Sequence, residues 1–220
     1  MENLSRVPGD AWRFVEKKAV TLFTPDEVWY GGFFELSIEL GDRCDERINA
    51  AVQALWTSPR LTGCYIDRSM NPDMQVRIKP PLVTEEDWCH VYGIADFNDP
   101  DLKLACGSCL VRETGGPDWL DFYFPLGSLG RVFPVGGFPF LDQNERVPWL
   151  PRVEIWLAEL GLELAKRIPM RMGLIGFECS GSTDLKTLTQ DGGIPSERWI
   201  GYIWPNDGVF TYFPSNAYKT

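Results

Sequence analysis

The chain has 220 residues, 44% of them hydrophobic and 24% charged, a length and balance that exclude a disordered, fibrous or crosslink-dependent miniprotein. Thirty-one acids against 21 bases leave a formal charge of −10, so the overall field repels phosphate backbones and anionic lipids and attracts cations or basic protein surfaces. Neither nucleic acid nor a membrane is therefore an expected partner.

Residues 1–13, MENLSRVPGDAWR, have neither a basic start nor an apolar stretch, and no later run approaches the roughly 20 apolar residues that span a bilayer. The expectation is a cytoplasmic location, with Cys44, Cys64, Cys89, Cys106, Cys109 and Cys179 as reduced thiols.

The clearest strand is 34–40, where Phe34, Leu36, Ile38 and Leu40 alternate with Glu35, Ser37 and Glu39. That period places one face on the core and the other in water. Gly41-Asp42 ends it, and Ile48, Ala51, Val52 and Leu55 then recur at helical spacing over 45–56, with acids in the first turn. Strands are predicted at 62–67 and at 74–79, the second with Met74, Val76 and Ile78 facing the core. After Pro80-Pro81, strand-like runs at 88–97, 104–113 and 119–124 read as a meander, broken by Asn98-Asp99-Pro100 and Gly115-Gly116-Pro117. The longest helix is predicted over 151–167, from the stripe Val153, Trp156, Leu157, Leu160, Leu164 and Ile168. A buried strand at 172–179 follows, and 198–204 with 209–213 reads as a hairpin around Pro205-Asn206-Asp207-Gly208.

These elements predict one α+β domain over 1–220, a mainly antiparallel curved sheet with two main helices on one face. LSIELGD, a helix and LTGCYIDRS in the first half share their order with FYFPLGS, a helix and MGLIGFECSG in the second. The order suggests a degenerate strand-helix-strand duplication, with repeats at 28–80 and 119–213.

The chain contains no GxxxxGK[ST], no GxGxxG, no HExxH and no calcium loop, so neither a cofactor nor a metal is expected. His90 is the only histidine, and strand alternation sets it beside Trp88 and Tyr92 as a sheet-surface residue. Cys106-Gly107-Ser108-Cys109 has redox spacing, but it lies in a strand with no helix N-terminus to lower a thiol pKa. In Gly176-Phe177-Glu178-Cys179-Ser180-Gly181 neither Cys179 nor Ser180 has glycines both two before and two after it, as a nucleophile elbow needs. Glu178, an acid ending an apolar run, is a candidate base or counter-ion if buried, and a solvent-facing strand end otherwise.

The stretch 125–149 shows no clear element yet carries Phe133, Phe138, Phe140 and Trp149, which predicts either a strap across the core or an apolar surface offered to a ligand. Trp29, Tyr30, Trp119, Tyr123 and Trp149 flank the acids Glu35, Glu39, Asp118 and Asp121, a combination suited to an organic cation or a lysine- and arginine-rich surface. The candidate binding residues are therefore Glu35, Glu39, Trp119, Asp121, Tyr123, Phe133, Phe138, Phe140, Trp149 and Glu178. Three function classes remain. In order, they are a non-enzymatic acidic protein of immunity or inhibitor type masking a basic partner, an effector-binding domain for a small organic cation, and a carboxylate- or thiol-dependent enzyme.

Overall fold

The computed structural model describes residues 22–82, 90–97, 102–112, 114–138, 140–142 and 145–217. Its strands are β1 (Phe33–Gly41), β2 (Leu61–Tyr65), β3 (Val91–Asp96), β4 (Lys103–Arg112), β5 (Asp118–Pro125), β6 (Leu141–Asp142), β7 (Glu145–Arg146), β8 (Met172–Phe177), β9 (Gly201–Asn206) and β10 (Val209–Phe213). The α-helices are α1 (Asp45–Trp56), α2 (Leu126–Leu129), α3 (Leu150–Ala165) and α4 (Leu185–Gln190). Eight strands form one curved antiparallel sheet in the order β10-β9-β8-β1-β5-β4-β3-β2, and β6 and β7 make a separate small hairpin. The protein is thus α+β, with the meander β2-β3-β4-β5 as one half of its sheet. The two strand-helix-strand units enter that sheet differently. α1 leads to β2 at the outer edge, whereas α3 leads to β8 beside β1. No helix among the described residues is long and apolar enough to cross a membrane.

Phe34, Leu36, Ile38 and Leu40 face the helices and share one core with Ile48, Val52 and Leu55 of α1 and Val153, Leu157 and Leu160 of α3. Each such side chain contributes about 1.5–3 kcal/mol on burial. The opposite face departs from the alternation rule: Glu35 is 5% exposed, Ser37 0% and Glu39 1%. Two further layers cover it. Phe23, Val28 and Trp29 pack on Tyr65, Tyr92 and Tyr123. On the other side Cys179 and Leu188 pack on Trp119, Met172, Leu174 and Tyr202.

The strand predicted at 74–79 does not form. Pro72–Met74 is a 3-10 turn, and Met74 and Val76 are 71% and 83% exposed. Ile78 N–H donates to the Cys64 carbonyl at 2.9 Å, so the segment runs beside the β2 edge, and Pro80-Pro81 can donate no ladder bond of their own. The hairpin strand predicted from 198 begins at Gly201. Positions 88 and 89 of the predicted third meander segment lie outside the described residues.

Within 125–149, Leu129, Val135, Phe140 and Trp149 join the main core, and the Trp149 indole N–H donates to the Val135 carbonyl at 3.2 Å. The stretch is therefore a strap across the helix-side core.

Trp56 closes the same core at the β2–β3 end. Its ring lies over Gly63 and Gly93, and its indole N–H donates to Ser108 Oγ at 2.9 Å. A Cβ on Gly93 would collide with that ring and stand 2.7 Å from the Thr62 carbonyl oxygen. Gly93→Ala should therefore destabilise the fold by about 1–3 kcal/mol. Gly137→Ala, where an added Cβ meets no atom within 4 Å, should stay close to wild type in the same urea titration.

Candidate functional site

The ten candidate residues separate into two places. Glu35, Glu39, Trp119, Asp121 and Tyr123 share the second face of the sheet, because β1 and β5 pair with Glu35 opposite Tyr123, Ser37 opposite Asp121 and Glu39 opposite Trp119. Phe133, Phe138, Phe140 and Trp149 belong to the strap on the helix face, with Phe177 of β8 against Phe138 and Phe140. Glu178 sits at the end of β8, exposed, with a left-handed φ of 43°.

On the second face a polar cluster lies between the two covering layers. Glu35 Oε1 accepts the Ser180 N–H at 2.8 Å, and the Cys179 N–H supports the same carboxylate. Ser37 Oγ donates to Asp121 Oδ1, and Ser180 Oγ lies 3.3 Å from Ser37 Oγ. Cys109 Sγ stands 4.0 Å from Asp121 Oδ2. Among the described residues neither Glu35 nor Asp121 forms an ion pair. Burial, and then the neighbouring Asp121 charge, push the Glu35 carboxyl up to about 7, and burial raises Asp121 as well. Glu35 thus keeps its proton at a pH where ordinary carboxylates are ionised.

Glu39 has a different task. Its Oε2 accepts the Leu185 N–H at 2.7 Å, at the first residue of α4, with the Arg171 guanidinium 3.8 Å from Oε1. This carboxylate holds α4 on the sheet.

The aromatic side of the second face is ordered by close approach. Tyr123 lies over Gly107, where any Cβ would strike its ring, and packs 4.4 Å from the Phe33 centroid. His90 is exposed, 6.1 Å from the Tyr92 ring and 6.4 Å from the Tyr123 ring. Ser108, one residue from Cys109, bonds Trp56 on the helix face while Cys109 neighbours Asp121 on the second face. Cys106, alternating with Ser108, is fully buried in the helix-side core, where burial drives its thiol pKa well up. The CxxC thiols therefore point to opposite faces of β4.

The second place is an open cleft of about 440 Å³ where the first described segment, α2, the strap and the end of β8 meet. Its lining includes Glu27, Tyr30, Leu126, Phe138 and Phe177, with Gly31, Gly136 and Gly137. Tyr30 is 61% exposed and Phe138 64% exposed. Phe138 is held by stacking on Phe177 at 5.3 Å, and the Glu178 carboxylate lies with the Phe177 ring over Gly32. The glycines matter here. Gly31 and Gly32 have φ of 90° and 83°, which lets the chain turn into β1 with no side chain filling the space.

Sequence reasoning found Glu35, Asp121, Phe138 and Glu178 as site residues and named Tyr30 among the aromatics beside acids, but not Ser37, Ser180 or Glu27. The signals were small ones, the glycine pairs Gly31-Gly32 and Gly136-Gly137 beside aromatic residues. Comparison with protein-family models, with curated proteins and with solved structures finds no match.

The Glu35 pKa sets a sign for stability. An acid that binds its proton more tightly folded than unfolded loses stability as pH rises between the two pKa values, here from 4.5 to about 7. Wild type measured against Glu35→Gln should therefore lose on the order of 3 kcal/mol across that window and level off above it. Urea unfolding of both proteins from pH 5 to pH 8 checks this; parallel pH curves would refute it.

Proposed function

We propose that this chain is a cytoplasmic, non-enzymatic binding protein of immunity or inhibitor type that masks a basic protein partner, taking an arginine or lysine side chain into the cleft between Tyr30 and Phe138. The observation that carries the reading is that cleft: the exposed rings of Tyr30 and Phe138 line it together with Glu27, and Glu178 follows the lining residue Phe177 in the chain. A ring face and a carboxylate together suit a guanidinium or ammonium, at about 0.5–2 kcal/mol per cation–π contact. Exposed aromatics held rigid by their neighbours are the residues that dominate interface energetics. The net charge of −10 would steer a basic partner toward the molecule and keep nucleic acid and anionic membranes away.

A second reading is favoured by the size of the cleft. At about 440 Å³ it falls in the range of small-molecule sites, and the same walls would accept an organic cation of quaternary-ammonium type.

An octa-arginine peptide distinguishes these readings from simple charge attraction. Its affinity should fall roughly tenfold or more in the Tyr30→Ala/Phe138→Ala double variant, two exposed positions whose loss leaves the core intact. Fluorescence titration at low and moderate salt measures it, and equal affinity of wild type and double variant would refute a role for the cleft. Tetraethylammonium that binds wild type more tightly than the peptide does would select the small-cation reading.

A further inference from the structure

The loop after β8 is held in an uncommon conformation by few ties. Glu178 has φ 43° and Gly181 φ 66°, and a left-handed backbone at a glutamate persists only where its surroundings impose it. Bonds to β1 do so. The Glu178 N–H donates to the Phe33 carbonyl at 3.0 Å, and the Ser180 N–H donates to the Glu35 carboxylate at 2.8 Å. The second tie ends on a group that can change its charge, and the loop it holds carries Glu178, the residue after Phe177 of the cleft wall.

We propose that Glu35 is a proton-operated latch: its ionised carboxylate ties the Cys179–Ser180 backbone to β1, and proton uptake weakens that tie and frees the loop that positions Glu178. Bonds from N–H groups to a carboxylate are roughly twice as strong as bonds to a neutral oxygen, so protonation loosens the loop without removing its partners. The groups facing Glu35 determine which charge state is held. Asp121 of β5 and Glu178 of the loop are acids, and Tyr123 of β5 and Cys179 of the loop are neutral. Arg68 acts on Tyr123 and His90 at the aromatic end of the face, and is not among the groups that shift Glu35. With no cation beside it among the described residues, Glu35 takes a proton readily. Proton uptake favours the buried sheet face and at the same time releases the loop above it. The effect on the cleft rests on the partner-binding reading given above, whereas the latch itself does not.

The test is amide NMR on the nitrogen-15-labelled full chain from pH 5 to pH 8.5. In wild type the Ser180 and Cys179 amide protons should move upfield with a single midpoint as pH falls. Their hydrogen exchange, corrected for its chemical pH dependence, should quicken about fivefold across it. Glu35→Gln should lose the midpoint and keep the loose loop throughout, while Asp121→Asn, with one repelling charge removed, should keep a midpoint at lower pH. A wild-type loop with no midpoint, or a midpoint that survives in Glu35→Gln, overturns the latch. If Glu35→Gln does not fold, an unmoved midpoint in Asp121→Asn overturns it. Octa-arginine affinity that changes across the midpoint in wild type and stays flat in Glu35→Gln supports coupling to the cleft. Affinity independent of pH while the loop titrates overturns the coupling alone, and the Tyr30→Ala/Phe138→Ala comparison reports separately on whether the cleft binds.

Discussion

Two carboxylates on one central strand hold the second face of this protein together. Glu35 and Glu39 of β1 accept backbone N–H groups from the chain that follows β8, at Ser180 and at Leu185. A carboxylate so placed supplies what a loop and a helix start need, an acceptor for donors that have no partner of their own. The segment from Glu178 to α4 is thereby laid across the sheet, and Ser37, Asp121 and Trp119 beneath it are removed from water. Without those two acceptors the segment would bring unpaired amides onto an apolar surface, at about 1–3 kcal/mol each.

The same arrangement explains why the two faces differ in chemistry. The helix face is closed by large apolar side chains and by the strap, whose Phe140 and Trp149 pack edge-on against each other at 5.4 Å. The second face is closed from opposite sides by an aromatic group around Trp29 and Tyr92 and by a mixed group around Cys179 and Leu188. Glu35, Ser37, Asp121 and Ser180 are left in between as a self-contained hydrogen-bonded set, and low dielectric around them makes a second negative charge costly. The open cleft arises where strap, α2 and the Gly31-Gly32 turn come together without filling the space.

Much of this architecture was legible from local pattern. The helix predicted over 45–56 forms with those boundaries, and the alternation in β1 correctly selects Phe34, Leu36, Ile38 and Leu40 for the main core. The meander and the closing hairpin were equally readable from turn residues, with the hairpin beginning three residues later than its apolar run suggests. The strand predicted at 74–79 failed because alternation alone does not make a strand. It meets the open edge of β2 through the Ile78–Cys64 bond, its neighbours Pro80 and Pro81 have no N–H to extend a ladder, and Met74 and Val76 ended in solvent.

What the sequence determined by itself was therefore the two long helices and most of the long strands, with the side of each that faces the main core, since both follow from side-chain periodicity of two or of 3.6. It also marked Glu35, Asp121 and Glu178 as acids in apolar company, and Phe138 as an aromatic in a glycine-rich stretch. Only the tertiary structure decided that Glu35 and Glu39 lie under cover rather than in water, that Ser37 and Ser180 complete a set with Asp121, and that Phe138 and Phe177 meet Tyr30 at a cleft. The reason is distance along the chain. Ser180 and Glu35 are 145 residues apart, and Ser37 and Asp121 are 84 apart. No local period records which remote segment will cover an exposed-looking face; that depends on where the sheet order places it.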